Sequence, residues 1–581
     1  MRKAWFLVVL ASMALWAAGA PAREIVVRGE MDGRMDFAFS RTIEFPGGAS
    51  VVECSFVAPA GFVSPTYTQE IEAFSLEFSP EPDSKTIRRD ERGNEIVTAK
   101  WTSPPRAVEM TYAARTRAAA RLAPIETDAP FPLRRAPKDV VVFLQATDMV
   151  QARDPDIQQT ARALTQDADT EFEAVSRVVN WVTDHIRYVS APERYDAVYS
   201  LKTGRGNCQN YSHLTAALLR AVEIPARIVN GFTVKNPYDV RADVMTYTFR
   251  SGQGRHSWIE VWFPDLGWVP FDPQKTSLFV STRFLRIEVG LDNQETQNDG
   301  RVRWIAADGA GKPRLNSVTT ADLPQDAVAL SGRVRDSGLR NILLYPEVEA
   351  AAHPEPVKPE PEPGLKPEPK PEPPAKVELP PAARPKPDLP APKSGQAAVL
   401  GNLEFPANVD FADYGEPVKL GEDEFVLNRN FMVETAEYVT TKATQFAQVF
   451  QVKRPLAMTR ASLALHRFGG GGSLWVEVYE DADGQPGELV ASSDLLDVRL
   501  LSLRPGYRWA DFNFRSDPVK LAPGAYWIAL GFSGDPVVNW YFTPGKSVGP
   551  AWGTRYKGVF ERRWSGALDF EFNYRVQGVY R

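Results

Sequence analysis

From Glu24 to about Lys138, apolar and polar residues alternate in short runs such as Glu24-Ile25-Val26-Val27-Arg28 and Ser50-Val51-Val52-Glu53-Cys54-Ser55-Phe56, with Gly- and Pro-bearing turns between them. Period-two alternation gives a strand one face for a core and one for water, so residues 23–138 are expected to form a β-sandwich. Between residues 154 and 189 the period lengthens. Phe172, Val175, Val179, Val182 and Ile186 recur at threes and fours, the stripe of a core-facing helix. A second helical stretch runs from near Cys208 to Val222, and Ile224-Pro225 stops it before a strand at 227–234. Residues 256–263 alternate again, and Leu266-Gly267-Trp268 opens a returning strand that leads to Asp272. Helices followed by sheet describe an α+β domain, placed at 150–295, with a β-rich extension of open affiliation at 296–350.

Residues 354–392 hold 16 of the chain's 48 prolines, interleaved with Lys and Glu. Counting Lys393, seven basic and seven acidic residues follow His353 up to that point, so the segment is charge-balanced. No core can form from it, and 351–396 is expected to be a proline-rich, polyproline-type spacer, its 39 residues from 354 to 392 reaching on the order of 120 Å when extended. After Gln396 β patterning returns in Leu474-Trp475-Val476-Glu477-Val478-Tyr479, in the run 524–530 and in the run 568–574. Residues 397–581 are therefore expected to form a second β-sandwich, of jelly-roll type. Six of the 14 tryptophans fall in it, at 475, 509, 527, 540, 552 and 564. Most are expected in the core, and any left outside would offer a platform to a glycan, cell-wall or peptide partner. Asp481, Asp483 and Gly484 share the start of a calcium loop but lack its remaining ligands, so a hairpin turn is expected there.

Length and charge narrow the function classes. At roughly 100 to 200 residues per domain, 581 residues imply several domains. A net charge of -6 leaves no broad basic surface, so nucleic acid is not an expected partner. The chain opens with Met1-Arg2-Lys3, an apolar run over 4–18, and small residues at Ala20 and Ala22. This is the pattern of a secretory signal peptide over 1–22, with an apolar run shorter than the roughly 20 residues of a membrane span. No later stretch is long and apolar enough for a span, so the mature protein is expected to be periplasmic or secreted.

Only Cys54 and Cys208 occur, too few for a disulfide framework or a structural zinc site, and no metal or other cofactor is expected. Cys54 lies in a strand pattern, where a thiol behaves as a small apolar group. Cys208 instead follows the loop Thr203-Gly204-Arg205-Gly206-Asn207 and heads a helix. The partial positive charge there favours thiolate, and the terminal amides can bond a developing oxyanion. On these features alone a catalytic and a structural cysteine remain equally open. The histidines are His185, His213, His256, His353 and His466. His213 stands five residues after Cys208, roughly 140° around the helix, too far to reach the thiol. His185 lies in the preceding helix, His353 in the spacer and His466 in the distal domain, which leaves His256. Pairing Trp262 with Trp268 would set Asp272 opposite Trp258, one diagonal step from His256 on the same sheet face, whereas pairing Phe263 with Trp268 would separate them. Asp272 could otherwise be a turn residue before Pro273.

The blocks GRGNCQNYSHLTAALLRAVEIPARIVNGF and RHSWIEVWFPDLGWVPFDPQ resemble the transglutaminase-like superfamily over about 154–273. The resemblance implies a papain-like core with Cys208 as nucleophile, His256 as base and Asp272 as its orienting acid. Asn210 departs from it, since many relatives carry an acid there. Such a triad would attack an amide of a protein or peptide substrate and form a thioester that water or an amine resolves, water having the advantage in a dilute extracytoplasmic medium. The competing expectation is a non-catalytic transglutaminase-like scaffold in which the distal sandwich does the binding.

Overall fold

The computed structural model describes residues 22–350 and 393–581, apart from 47, 105, 124, 134, 190–191, 243–244, 250–251, 275–278, 308–312, 338–342, 347, 402–417, 428–435, 441–443, 504–507, 515–517, 544–552, 560, 562, 565 and 569. The expected leader up to residue 21, most of the expected spacer with His353, and Trp552 thus lie outside the described residues.

The alternating N-terminal segment forms β1 (Ala22–Glu44), β2 (Ala49–Ala58), β3 (Tyr67–Ser79), β4 (Glu95–Thr102) and β5 (Ala107–Leu122). β1, β5 and β3 lie side by side in one sheet, and β2 and β4 in another. The inward residues of both, among them Phe37, Phe39, Cys54, Phe56, Trp101 and Tyr112, share one core. Cys54 is fully buried within β2, and burial pushes its thiol up to about 12.

After a short helical turn at 138–144 come four longer helices. α1 (Pro155–Thr165) is capped by Asp154 and α2 (Glu171–His185) by Thr170. α3 (Ala197–Thr203) is capped by Asp196, and α4 (Cys208–Ala221) by Asn207. The stripe read from the sequence, Phe172 to Ile186, is buried throughout. The helices pack on an antiparallel sheet of β6 (Ala226–Thr233), β9 (Gly254–Phe263), β10 (Gly267–Phe271) and β11 (Phe284–Gly290), in the order β10-β9-β6-β11. Between β6 and β9 the chain makes a hairpin, β7 (Tyr238–Ala242) and β8 (Met245–Phe249), that leaves this sheet. Neither α3, β11 nor this hairpin was marked by periodicity.

The extension past residue 296 completes the first pair of sheets. β12 (Arg301–Ala306) pairs with β2, and β13 (Arg314–Ser337) pairs with β1 from Ala22↔Ser337 to Glu44↔Arg314. The helical core is therefore inserted between two halves of one all-β unit. The two share cores: Phe232, Val234, Leu285 and Ile287 join the first, and Tyr67 and Ala118 pack with Val229, Trp258 and Phe284.

In the distal part, two sheets enclose a core that includes Trp540, Phe570 and Phe572. Trp527, Trp540 and Trp564 are buried, while Trp475 and Trp509 are half-buried. Asp481 accepts from Gly484 N at 3.2 Å and from Trp527 Nε1 at 2.7 Å, closing a hairpin turn. The run at 568–574 is not one strand. It divides among three pairings, because the chain passes from one sheet to another within a few residues. The distal part also does not stand apart as its proline-rich connection suggests. β14 (Glu424–Leu427) adds to β12, with Phe425 stacked on Trp304 at 5.5 Å, and β15 (Gly566–Leu568) pairs with β8. Thr248 Oγ1 and Tyr556 Oη are 2.6 Å apart across that junction.

Candidate active site

The turn into α4 is built from its own small and polar residues. Gly204 ends α3 at φ 63, in the left-handed region that glycine enters without strain. A Cβ on Gly206 would stand 2.2 Å from Asn210 Cβ, so only glycine lets the chain pass there. Asn207 Oδ1 accepts from Gln209 N at 3.1 Å, and Asn210 Oδ1 accepts from Asn207 N at 3.1 Å, a reciprocal cap that fixes where the helix starts. Cys208 is its first residue.

The Cys208 side chain is 1% exposed. Backbone N–H groups of Ser257, Gln209 and Cys208 itself reach its sulfur. Those amides and the helix terminus favour thiolate, and from the sequence a lowered thiol pKa is expected. Burial outweighs them: desolvation, with the Asp272 charge added, pushes the thiol up to about 12.

His256 lies on β9 one residue before Ser257, whose amide meets that sulfur. Its ring is stacked near Trp258, with centroids 5.9 Å apart, and edge-on to Phe284 at 5.7 Å. Its Nε2 bonds Asp272 Oδ2 at 2.9 Å, and its Nδ1 has no hydrogen-bond partner among the described residues. The hairpin register is Trp262↔Trp268 through Ile259↔Phe271, the pairing that sets Asp272 on the face of His256. Asp272 also serves as the turn residue, since its Oδ1 accepts from Gln274 N at 3.1 Å. Asp272 is fully buried and His256 nearly so.

The remaining described histidines are engaged elsewhere. His185 Nε2 bonds Leu201 O at 2.8 Å, His213 bonds Tyr195 O and Asn293 N, and His466 lies in the distal sheets. Beneath the site, Ser257 Oγ lies 3.3 Å from both Ser212 Oγ and Asn293 Oδ1, joining β9 to α4. Sequence reasoning passed over Asn210 as a cap, although its spacing from Asn207 is that of a capping pair.

Chemically, a thiol met by backbone donors lies against the strand that carries an imidazole, and a carboxylate holds one nitrogen of that ring. No cluster of three or more metal-ligating side chains occurs among the described residues. No helix among them is long and apolar enough to cross a membrane.

Residues 158–273 match the profile of the transglutaminase-like superfamily. The uncharacterized protein YebA of Bacillus subtilis is 31% identical over 144 residues, covering 23% of this chain and 19% of its own length. A protein-glutamine gamma-glutamyltransferase of Pseudomonas aeruginosa is 34% identical over 71 residues, covering 12% of this chain and 10% of its own. The chain thus spans only a minor part of these curated relatives. Among solved structures, a candidate cysteine protease from Cytophaga hutchinsonii aligns with TM-score 0.39 and 18% identity over 53% of this chain and 99% of that one. The periplasmic domain of TgpA from Pseudomonas aeruginosa aligns with TM-score 0.23 and 15% identity, over 40% and 89%.

Proposed function

Because residues 158–273 form a transglutaminase-like domain, we propose that this chain is a periplasmic or secreted cysteine enzyme that attacks an amide, either a peptide bond or a glutamine side chain, through a thioester on Cys208. The observation that carries this reading is the convergence of three residues distant in sequence: Ser257 N on the Cys208 sulfur, and His256 Nε2 on Asp272 Oδ2 at 2.9 Å. His256 is the base, acting through Nδ1, and Asp272 holds the imidazole in the tautomer that leaves Nδ1 able to accept. With the thiol held protonated by burial, its proton passes to His256 as sulfur attacks, and His256 returns it to the departing amine. Water or an amine then resolves the thioester. The distal sheets are read as a jelly-roll beyond a proline-rich spacer, with the half-buried Trp475 and Trp509 as the residues to test for glycan or cell-wall contact.

The burial of Cys208 favours a second reading, a scaffold that keeps the fold without turnover. Incubation with a glutamine-containing peptide and an activated ester, followed by intact-mass analysis, separates the two. An enzyme gains an acyl group that is lost in Cys208→Ala and released by hydroxylamine, whereas a scaffold gains none.

A further inference from the structure

Resting on the acyl-enzyme reading, we infer that Asn293, outside the residues 158–273 that match the family profile, is a positioning residue for the acylation of Cys208, holding the strand of His256 at a fixed distance from the helix of Cys208.

The spacing between those two elements is not set by the triad itself. Side chains alternate along a strand, so on β9 His256 and Ser257 face opposite ways. The partners of the His256 ring are Asp272, Trp258 and Phe284, each on the sheet or at the end of one of its strands, and none of them on α4. Ser257 is the residue that turns toward the helix. Its Oγ lies 3.3 Å from Ser212 Oγ, one turn of α4 beyond Cys208. How close β9 stands to α4 at this pair of serines decides how close the imidazole stands to the sulfur.

Asn293 lies in the loop after β11 and meets three elements at once. Its backbone N–H donates to His213 Nε2 on α4 at 3.0 Å, while its Nδ2 donates to Ser257 Oγ on β9 at 3.2 Å and to Asn230 Oδ1 on β6 at 2.7 Å. The orientation of both amides follows from their partners. Thr296 O, 2.8 Å from Asn230 Nδ2, can only accept, so Asn230 turns its oxygen to Asn293, which must answer with N–H. With Ser257 Oγ accepting from Asn293, its own proton is left for Ser212. The bonds thus run in one direction, from the loop through β9 to α4.

Asn293, Ser257, Ser212, His213 and Asn230 are all buried. In such a place a polar group that loses its partner costs more than the bond was worth, so a satisfied set resists displacement. The loop is held by other means: Arg220 Nη2 donates to Leu291 O at 2.7 Å, and Asp292 Oδ1 accepts from Gln294 N and Glu295 N at 2.9 Å. Removing the Asn293 side chain therefore frees β9 from its tether while the loop, with its backbone bond to His213, stays seated.

Two reactions of the same sulfur in the full chain separate spacing from stability. Acylation by 4-nitrophenyl acetate, read by intact mass, needs His256 within reach of the thiol proton, whereas alkylation by iodoacetamide at pH 10 draws on thiolate formed by solvent. Asn293→Ala is expected to slow acylation by about 10- to 100-fold, with alkylation no slower than in wild type and Cys54 unlabelled. Asn293→Asp supplies a pH signature. Its carboxylate sets oxygen against Asn230 Oδ1, and its protonated form can donate there again, so acylation relative to wild type is expected to recover as pH falls from 8 to 5, while the same ratio for Asn293→Ala stays flat. His213 and Arg220 on α4, and Asp292 and Glu295 in the loop, are common to all three proteins and cancel in the ratio. Labelling of Cys54 in Asn293→Ala would mean a lost fold, and the Asn293→Asp ratio then decides. Wild-type acylation in Asn293→Ala, acylation and alkylation that fall together, or an Asn293→Asp ratio that stays flat overturns the assignment and leaves the acyl-enzyme reading intact. A wild-type protein that alkylates at Cys208 but never acylates brings down that reading, and the role of Asn293 with it.

Discussion

Asp272 divides its carboxylate between two partners, His256 Nε2 at 2.9 Å on one oxygen and Gln274 N at 3.1 Å on the other. An asparagine can satisfy one of them with its carbonyl but then turns an N–H2 toward the other. Asp272→Asn is thus expected to fold yet lower single-turnover thioester formation by on the order of 10³-fold or more, with His256→Ala at least as impaired. Acylation at the wild-type rate in Asp272→Asn would leave Asp272 with its turn role alone.

Asn210 gives a second prediction, because an acid at this position could not make its bonds. Its Nδ2 donates to Arg194 O and Ser200 Oγ, and a carboxylate would set oxygen against the carbonyl. Asn210→Asp is expected to destabilise by about 1–3 kcal/mol and to slow acylation by loosening the 194–200 segment from the first turn of α4, where Cys208 stands. Urea unfolding and acyl-enzyme trapping on the same preparation measure both effects.

The substrate-free thiol sets a third expectation. With Cys208 pushed up to about 12 by burial, iodoacetamide labelling should keep accelerating as pH rises beyond 8.5. A plateau below pH 8 would instead indicate a preformed thiolate–imidazolium pair.

Glu171 opens α2 fully buried, with no partner for either carboxyl oxygen among the described residues. Burial, with Asp265 adding, pushes it up to about 9. The unfolded chain releases this proton near pH 4.3, so folding is favoured most below that value and loses stability as pH climbs toward 9. Glu171→Gln should therefore raise neutral-pH stability by on the order of 1–3 kcal/mol and flatten the decline. Denaturant midpoints at pH 5 and pH 8 for both proteins test the sign.

The distal sheets supply the fifth prediction. Leu427 is 1% exposed within the first core, on a strand added to Arg301–Ala306. Leu427→Ala should destabilise by about 2–5 kcal/mol, and a chain ended at Ala350 should melt lower and bind an apolar dye, because β12 loses its neighbour. An unchanged melt after truncation would show that this strand adds nothing.

What the sequence made legible followed from periodicity and local chemistry. The buried stripe of α2, the start of α4 at Cys208 and the strand carrying His256 were all readable, because each depends on residues close together in the chain. The Trp262↔Trp268 register was one of two options, and only the fold chooses between them. Other features depend on partners remote in sequence. The return of residues 314–337 to β1 and the seating of Glu424–Leu427 on β12 leave no local pattern. The thiol expectation failed for a related reason: a helix terminus is visible in sequence, but the depth of burial that outweighs it is not.

The Tyr67 hydroxyl donates to Phe284 O at 2.9 Å, and Gln69 brackets Arg286 through its N–H and C=O at 2.8 and 2.9 Å. Phe284 in turn forms one wall of the His256 ring. The imidazole therefore owes part of its cage to a strand some 190 positions earlier in the chain. A gene fragment cut at the limits of the helical core would encode Cys208, His256 and Asp272 and still leave that wall unsupported. A transplant that kept this wall in place would have to carry the strand Tyr67–Ser79 together with the helical core.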